Sequence, residues 1–478
     1  MRAARRVAQQ NSPRLGQNVA GGLVTGKWFA AALVAGAVLR AAVVPLPGTR
    51  DMGVWKIWTY AAARNSPATM YGVGGSPPEW RSHNFHGAAA TVDYPPFVLD
   101  ELAVVGRAYR FLNKPAFPDD TALTVAIKTP LVLFEVGFLW LAFAAVRRAV
   151  GTSAARWAAT AYWLNPGTLL DGPVLGYLDP LFMFPLAAAL VAGSSGWSLL
   201  AGALLAFAVL TKAQALVALP AVALAVWKGG PQQNAGRRLG LAALGGLAAS
   251  ALVVGPVVAA GGGPNMVAAL RSLARHDMLS ANAPNLWWIV GYLLRAWYSV
   301  HDLGVWVAYT APTKILAISR TIELGYPNPR LVGTALTILA MGWAIVTARN
   351  VRGPLLACGV GAFMVHAYAT LSAQVHENHL YAAIPLLVVA AAGHRRLRPV
   401  LWAVSAIFAL NLNAFYGMSE YIDGYAVPRT LTVIDLTVWL ALANCATLVW
   451  HGWVLSGECS AGNPQVVPNG APMADAPS

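Results

Sequence analysis

WFAAALVAGAVLRAAVVPL, residues 28–46, is apolar apart from Arg40, and RDMGVWKIW follows almost at once at residues 50–58. The first stretch is long enough to cross a ~30 Å hydrocarbon core as a helix. The second opens the longest polar break in the sequence, which runs to about Leu112 and contains DYPPF at residues 93–97. No A-x-A-like cleavage site follows residues 28–46 and many apolar runs do, so an anchor is expected there, not a removed leader. A loop rich in acids, aromatics and prolines, placed directly after a span, is where a membrane protein puts chemistry.

The same pattern holds along the chain. Of 478 residues, 57% are hydrophobic and only 11% are charged, too few for the surface of a water-soluble protein of this length. Apolar runs of roughly 15 to 23 residues recur from end to end. The fold class is therefore an all-α polytopic membrane protein, with about 14 spans expected (range about 11–14). A net charge of +14 could point to nucleic acid, but Lys and Arg sit in short clusters between apolar runs. That is the distribution the positive-inside rule gives, so the bilayer, and no nucleic acid, is the expected partner. Cys358, Cys445 and Cys459 form no CxxC, and no histidine stands at ligand spacing, so neither a disulfide framework nor a structural zinc is implied.

Arg2, Arg5, Arg6, Arg14 and Lys27 assign residues 1–27 to a cytoplasmic tail. Residues 28–456 then form one transmembrane domain, with residues 47–124 as a long first external loop. Within that loop Val98, Leu102, Val105, Tyr109 and Leu112 share one helical face and Asp100, Arg107 and Arg110 the other, as in a helix lying on the membrane. Further spans are expected near 125–146, up to Asn165, down to Gly193, on either side of residues 211–214, and at 239–260. An external loop at 261–284 holds Arg271, Arg275, His276 and Asp277. Two short spans with a turn near His301-Asp302 are expected in 285–330. Five more follow at about 331–348, 354–371, 379–393, 398–416 and 431–452. Glu135 and Asp435 are the acids expected deep in spans. Residues 457–478 lack periodicity and are expected to be a disordered tail.

Four constellations carry possible chemistry. Asp51 stands at the outer end of the first span with Trp55 and Trp58 behind it. A carboxylate there could deprotonate a hydroxyl and the rings could stack on sugars, or the group could be an interfacial belt with a solvated Asp51–Arg50 pair. Asp93, with Tyr94, Pro95 and Pro96, could serve a substrate or simply cap the surface helix. Gln374, His376, Glu377, Asn378 and His379 interrupt two apolar runs at the outer boundary, a costly placement that suits a hydrogen-bonding cradle for phosphate. Lys212 could face the same phosphate or snorkel. The two histidines are three residues apart with no matching acid, so no metal and no other cofactor is expected.

DYPPF at 93–97, Asn165-Pro166-Gly167, Lys212-Ala213-Gln214, Asn285-Leu286-Trp287-Trp288 and Val375-His376-Glu377-Asn378 together resemble the ALG6/ALG8 glucosyltransferases of the GT-C superfamily, in the same order over roughly residues 45 to 395. The chain has the style of a bacterial-type member. One departure stands out: the family usually has Lys after Val-His-Glu, where this chain has Asn378-His379. The resemblance implies a GT-C-like fold, a polyprenyl-phosphate-sugar donor and catalysis on the outer face, with Asp51 as general base. It also implies Lys212, His376, His379, Arg271 and Arg275 around the donor phosphate. Asp93, Tyr94, Trp55, Asp179, Glu377, Asn285 and Trp287 belong to its substrate or structural motifs. The activity implied is inverting transfer of a hexose, glucose or mannose, to a lipid-linked glycan or envelope acceptor at the cell membrane. The rival from another class is a transporter or lipid-linked-sugar flippase, which calls for polar groups near the bilayer midplane and related halves. No internal repeat is found.

Overall fold

The computed structural model describes residues 26–113, 116–273, 275–300, 315–350, 352–429 and 434–461. The arginines expected to hold the N-terminal tail, the turn near His301-Asp302 and the tail beyond 461 lie outside the described residues. Among the described residues seven helices are each long and apolar enough to cross a membrane: Gly26–Val43, Thr121–Ala149, Gln232–Ala259, Pro329–Ala348, Pro354–Leu371, Leu397–Tyr416 and Leu436–Ser460. The shorter apolar helices Asp179–Ser194, Ser198–Thr211 and Ala213–Lys228 accompany them, as do Thr152–Trp163 and Ala383–Gly393. The chain is an all-α polytopic membrane protein. Among the described residues its strands form only two small pairs, Ser82–Phe85 antiparallel to Ala88–Thr91 and Ser280–Ala281 parallel to Val375–His376.

About 14 spans (range about 11–14) were expected, and among the described residues several of those apolar runs fold as helices shorter than a full span, broken where polar groups enter. The run at 379–393 folds as Ala383–Gly393, 11 residues long. In 285–330, Leu286–Val300 is followed by Ile318–Glu323, whose 6 residues cannot cross a bilayer, so the second short span expected there is not found among the described residues. Asp435 is not deep in a span: it precedes Leu436–Ala461, accepts the Thr437 N–H at 2.8 Å and pairs with Arg429 at 3.1 Å. That helix also continues through Gly457 to Ala461, where a disordered tail was expected, and His394 Nδ1 holds Glu458 at 2.8 Å.

Among the described residues two large apolar cores form, beside two small clusters around Trp287 and Trp288. One fills the bundle and includes Tyr162, Phe182, Phe363 and Phe408. The other lies in the first loop, where Asp51–Arg64 packs on Phe97–Asn113 and buries Trp55, Trp58, Met70, Tyr71, Val98, Leu102 and Tyr109. The helix expected in this loop is Phe97–Asn113, with Arg107 and Arg110 exposed; Leu112, expected on the apolar face, is 76% exposed. Gly106 permits the contact, since a Cβ there would sit 2.5 Å from the Thr59 carbonyl oxygen. Gly202 does the same in the bundle, where a Cβ would come within 1.8 Å of Ala242 O, so Ser198–Thr211 and Ala235–Ala259 meet backbone to backbone.

Buried charges tie the layers together. Arg40 Nε bonds Glu135 Oε2 at 2.7 Å, and its guanidinium lies 3.6 Å over the Trp163 ring. Lys128, inside Thr121–Ala149, donates to the carbonyls of Leu46 at 2.7 Å, Pro173 at 3.1 Å and Val174 at 2.7 Å. That ammonium pins the end of the first span to the second loop, and Asp51 stands just beyond the pin.

Candidate active site

Asp51 is fixed by the backbone around it. The Thr49 N–H donates to the Leu175 carbonyl at 3.0 Å, while the Gly48 carbonyl accepts from Ser419 Oγ at 2.7 Å and the Glu420 N–H at 3.2 Å. Gly48 has φ +83°, a left-handed conformation that a side chain would strain. Asp51 begins the helix Asp51–Arg64 and is half-buried. It is no solvated pair with Arg50, whose side chain is exposed and whose N–H goes to Glu420 Oε2 at 2.6 Å. Burial, then the charge of Glu377, pushes the Asp51 carboxyl up to about 6, against a lesser pull from Lys212. A carboxyl so placed is basic enough to take a proton near neutrality.

Glu377 follows the strand Val375–His376, which pairs with Ser280–Ala281 and so joins the loop after Pro354–Leu371 to the loop after Gly263–Leu273. Tyr177 Oη donates to Glu377 Oε1 at 2.6 Å, with the Tyr416 ring 6.4 Å from that of Tyr177 between centroids. Asn282 Nδ2 in turn donates to Tyr416 Oη at 3.2 Å. Burial holds the Glu377 carboxyl above its usual range, opposed by the Tyr177 hydrogen bond. Sequence reasoning passed over Tyr416 and Asn282. Only their neighbours in the fold, not their local pattern, mark them.

Lys212 does not stand at an open mouth. It is 6% exposed, in the break between Ser198–Thr211 and Ala213–Ala218, and its Nζ pairs with Asp179 Oδ1 at 2.8 Å. Gln214 Nε2 donates to the same oxygen at 3.1 Å and Asn378 Nδ2 to Asp179 Oδ2 at 2.7 Å. Asp171, fully buried nearby, has both carboxylate oxygens unpartnered.

The histidines form a row, His276 to His376 at 6.1 Å and His376 to His379 at 5.4 Å between ring centroids, with His379 stacked on Tyr368. Burial, then Lys212, pushes the His376 imidazole down to about 4, and the same causes hold His379 well below its usual range. Both are neutral at pH 7, so what they can offer a phosphate is N–H donation. His276, absent from the expected set, joins them because Gln374, at φ +66°, sends its side-chain amide to the His276 carbonyl.

The remaining expected residues separate. Burial holds the Asp93 carboxyl above its usual range, with His276 pulling it down, and among the described residues no N–H of the following helix is found donating to it. Trp55 is 3% exposed and packs edge-on against Trp58 and Tyr94 at 5.1 and 5.2 Å, so it is core and not a sugar platform. Asn285 caps Leu286–Val300 through the Trp288 N–H at 2.9 Å, and Trp287 Nε1 donates to the Leu371 carbonyl at 2.8 Å; both brace the loops. Arg271 and Arg275 are exposed, and no side-chain bond from either to these loops is found among the described residues. Among the described residues no three His, Cys, Asp or Glu side chains gather as a metal site.

These features define a class: a polytopic α-helical membrane protein whose loops bring together a buried polar cluster. Solved structures similar to the chain include three of the Archaeoglobus fulgidus oligosaccharyltransferase. The apo form has 13% identity and TM-score 0.40, covering 92% of this chain and 56% of that one. A form tethered with an acceptor peptide containing the NVT sequon has 15% identity and TM-score 0.35, covering 93% and 56%. The complex of this AglB with an inhibitory peptide and a dolichol-phosphate has 14% identity and TM-score 0.35, covering 93% and 57%. The chain spans a little over half the length of these proteins, and at such values the likeness assigns no activity. Neither a protein-family model nor a curated protein matches the sequence.

Proposed function

We propose that the chain is a GT-C-type membrane glycosyltransferase that moves a hexosyl group from a polyprenyl-phosphate donor to a lipid-linked or envelope acceptor on the extracytoplasmic face. The observation that carries this reading is Asp51: a backbone-pinned carboxyl held near pH 6, beside Glu377 and within electrostatic reach of Lys212. The acceptor hydroxyl oxygen attacks the anomeric carbon while Asp51 takes its proton. The bond from that carbon to the phosphate oxygen breaks on the opposite side, the phosphate keeps the electron pair, and configuration inverts. Phosphate is a good leaving group, so stabilising its charge matters more than protonating it, and N–H donors from Lys212 and His376 suit that task.

The flippase reading draws on polar groups inside the spans, Arg40 with Glu135 and His366 with His451, whose Nδ1 atoms lie 3.2 Å apart. Those groups bond mainly to one another and to backbone, whereas the loop cluster holds the group fit for acid–base work. Purified protein given radiolabelled polyprenyl-phosphate hexoses and membrane lipid extract should transfer label to a new lipid or glycan with inverted anomeric configuration. Movement of the lipid across liposomes without transfer supports the flippase instead.

A further inference from the structure

Three donors from two separate loops close on one carboxylate. Asp179 lies in the first turn of Asp179–Ser194 and is fully buried. Lys212 Nζ and Gln214 Nε2 reach its Oδ1 at 2.8 and 3.1 Å, and Asn378 Nδ2 reaches its Oδ2 at 2.7 Å. An ammonium and two carboxamide N–H groups, aimed together at anionic oxygens in a dry site, are the donor set that a phosphate monoester takes. The helices are broken at each donor, so the set stands at the loop end of the bundle beside Glu377.

We propose that Asp179 is an internal counter-ion occupying the anion's place, and that a polyprenyl phosphate binds by exchanging with it on Lys212, Gln214 and Asn378. This rests on the glycosyltransferase reading and extends it from the identity of the base to the turnover of the phosphate. A lone ammonium that is 6% exposed would be costly to bury, and the Asp179 carboxylate 2.8 Å away offsets that cost until a phosphate takes its place. The same carboxylate then competes with the phosphate, so the spent carrier lipid leaves instead of remaining clamped. Asn378, where the resembling family carries Lys, leaves Lys212 and Asp179 balanced one to one; a second cation there would tip the balance towards the bound anion.

The probe is farnesyl monophosphate, titrated calorimetrically into the full chain in detergent. Asp179→Asn keeps the side-chain shape and removes the competing charge, and should tighten binding about 10-fold or more, the low end of what a hydrogen bond to a charged group is worth. Asn378→Lys should tighten it independently by adding a cation, so the idea does not depend on one variant folding. Adding Lys212→Gln to Asp179→Asn should abolish the gain. A folded Asp179→Asn or Asn378→Lys protein that binds no tighter than a wild type that does bind overturns the counter-ion and leaves the glycosyltransferase reading standing. Failure of wild type and both variants alike to bind farnesyl monophosphate overturns both.

Discussion

Arg40–Glu135 and Lys212–Asp179 are both buried ion pairs, at 2.7 and 2.8 Å, yet they are built differently. The first joins two spanning helices and leaves Arg40 Nη2 and Glu135 Oε1 unpartnered. The second sits where helices are interrupted, and both oxygens of its carboxylate are occupied by three donors. A charge inside an apolar protein therefore does not by itself mark chemistry. What separates the two is broken backbone: only a helix end or loop lets several groups converge on one small volume that a ligand can enter.

The largest effect should come from the pair within the helices. Arg40→Met leaves Glu135 uncompensated and should cost about 3–5 kcal/mol of stability, read by denaturant unfolding in detergent. Lys212→Met should cost less, because Gln214 and Asn378 still hold Asp179. Equal losses would erase the contrast between the pairs.

The next effect is in pH. Asp51 must be ionised to act as a base, so transfer should fall about tenfold per pH unit as the pH drops below about 6. Stability runs the other way. With the folded-state carboxyl raised from 3.8 to about 6, ionising Asp51 costs stability across that window. Asp51→Asn should therefore melt like wild type near pH 3.8 and at a higher Tm at pH 7.5. An acid limb that stays at the ordinary carboxylate range would show that Asp51 is not buried as described.

The smallest effect concerns residues the resemblance implies but the fold leaves outside. Arg271→Ala and Arg275→Ala should each change donor KM by no more than about twofold, since exposed charges screened by water contribute little. A tenfold rise in either would place that arginine at the phosphate.

Much of the fold was legible because apolar length is a direct physical requirement of the bilayer; the spans at residues 28–46, 125–146 and 354–371 needed no more than that. The break at Lys212 and the amphipathic helix holding Val98, Leu102 and Tyr109 were legible for the same reason, as interruptions of period and polarity. The span count was not. The run near 379–393 is apolar enough to cross but is cut short by a turn that holds loop groups, and hydropathy does not register a turn. In the candidate site, Glu377 and His376 stood out as polar residues in a costly place, Asp51 and Lys212 each had an ordinary interfacial reading beside the chemical one, and Asp179 came only with the resemblance. Tyr416 and Asn282 did not, because an aromatic at a helix end and an Asn in a loop are ordinary locally and acquire a role only when Glu377 is brought to them. The pairing of Lys212 with Asp179, 33 positions apart, was hidden in the same way.

The central claim is that Asp51 removes the acceptor's proton. The most direct measurement is single-turnover transfer of labelled hexose from its polyprenyl phosphate at pH 7.5 by wild type and Asp51→Asn, with Asp93→Asn as a control on the same loop. The account predicts a fall of about 10²-fold or more for Asp51→Asn, a milder change for Asp93→Asn, and folded protein in both cases. Transfer by folded Asp51→Asn at the wild-type rate would contradict it.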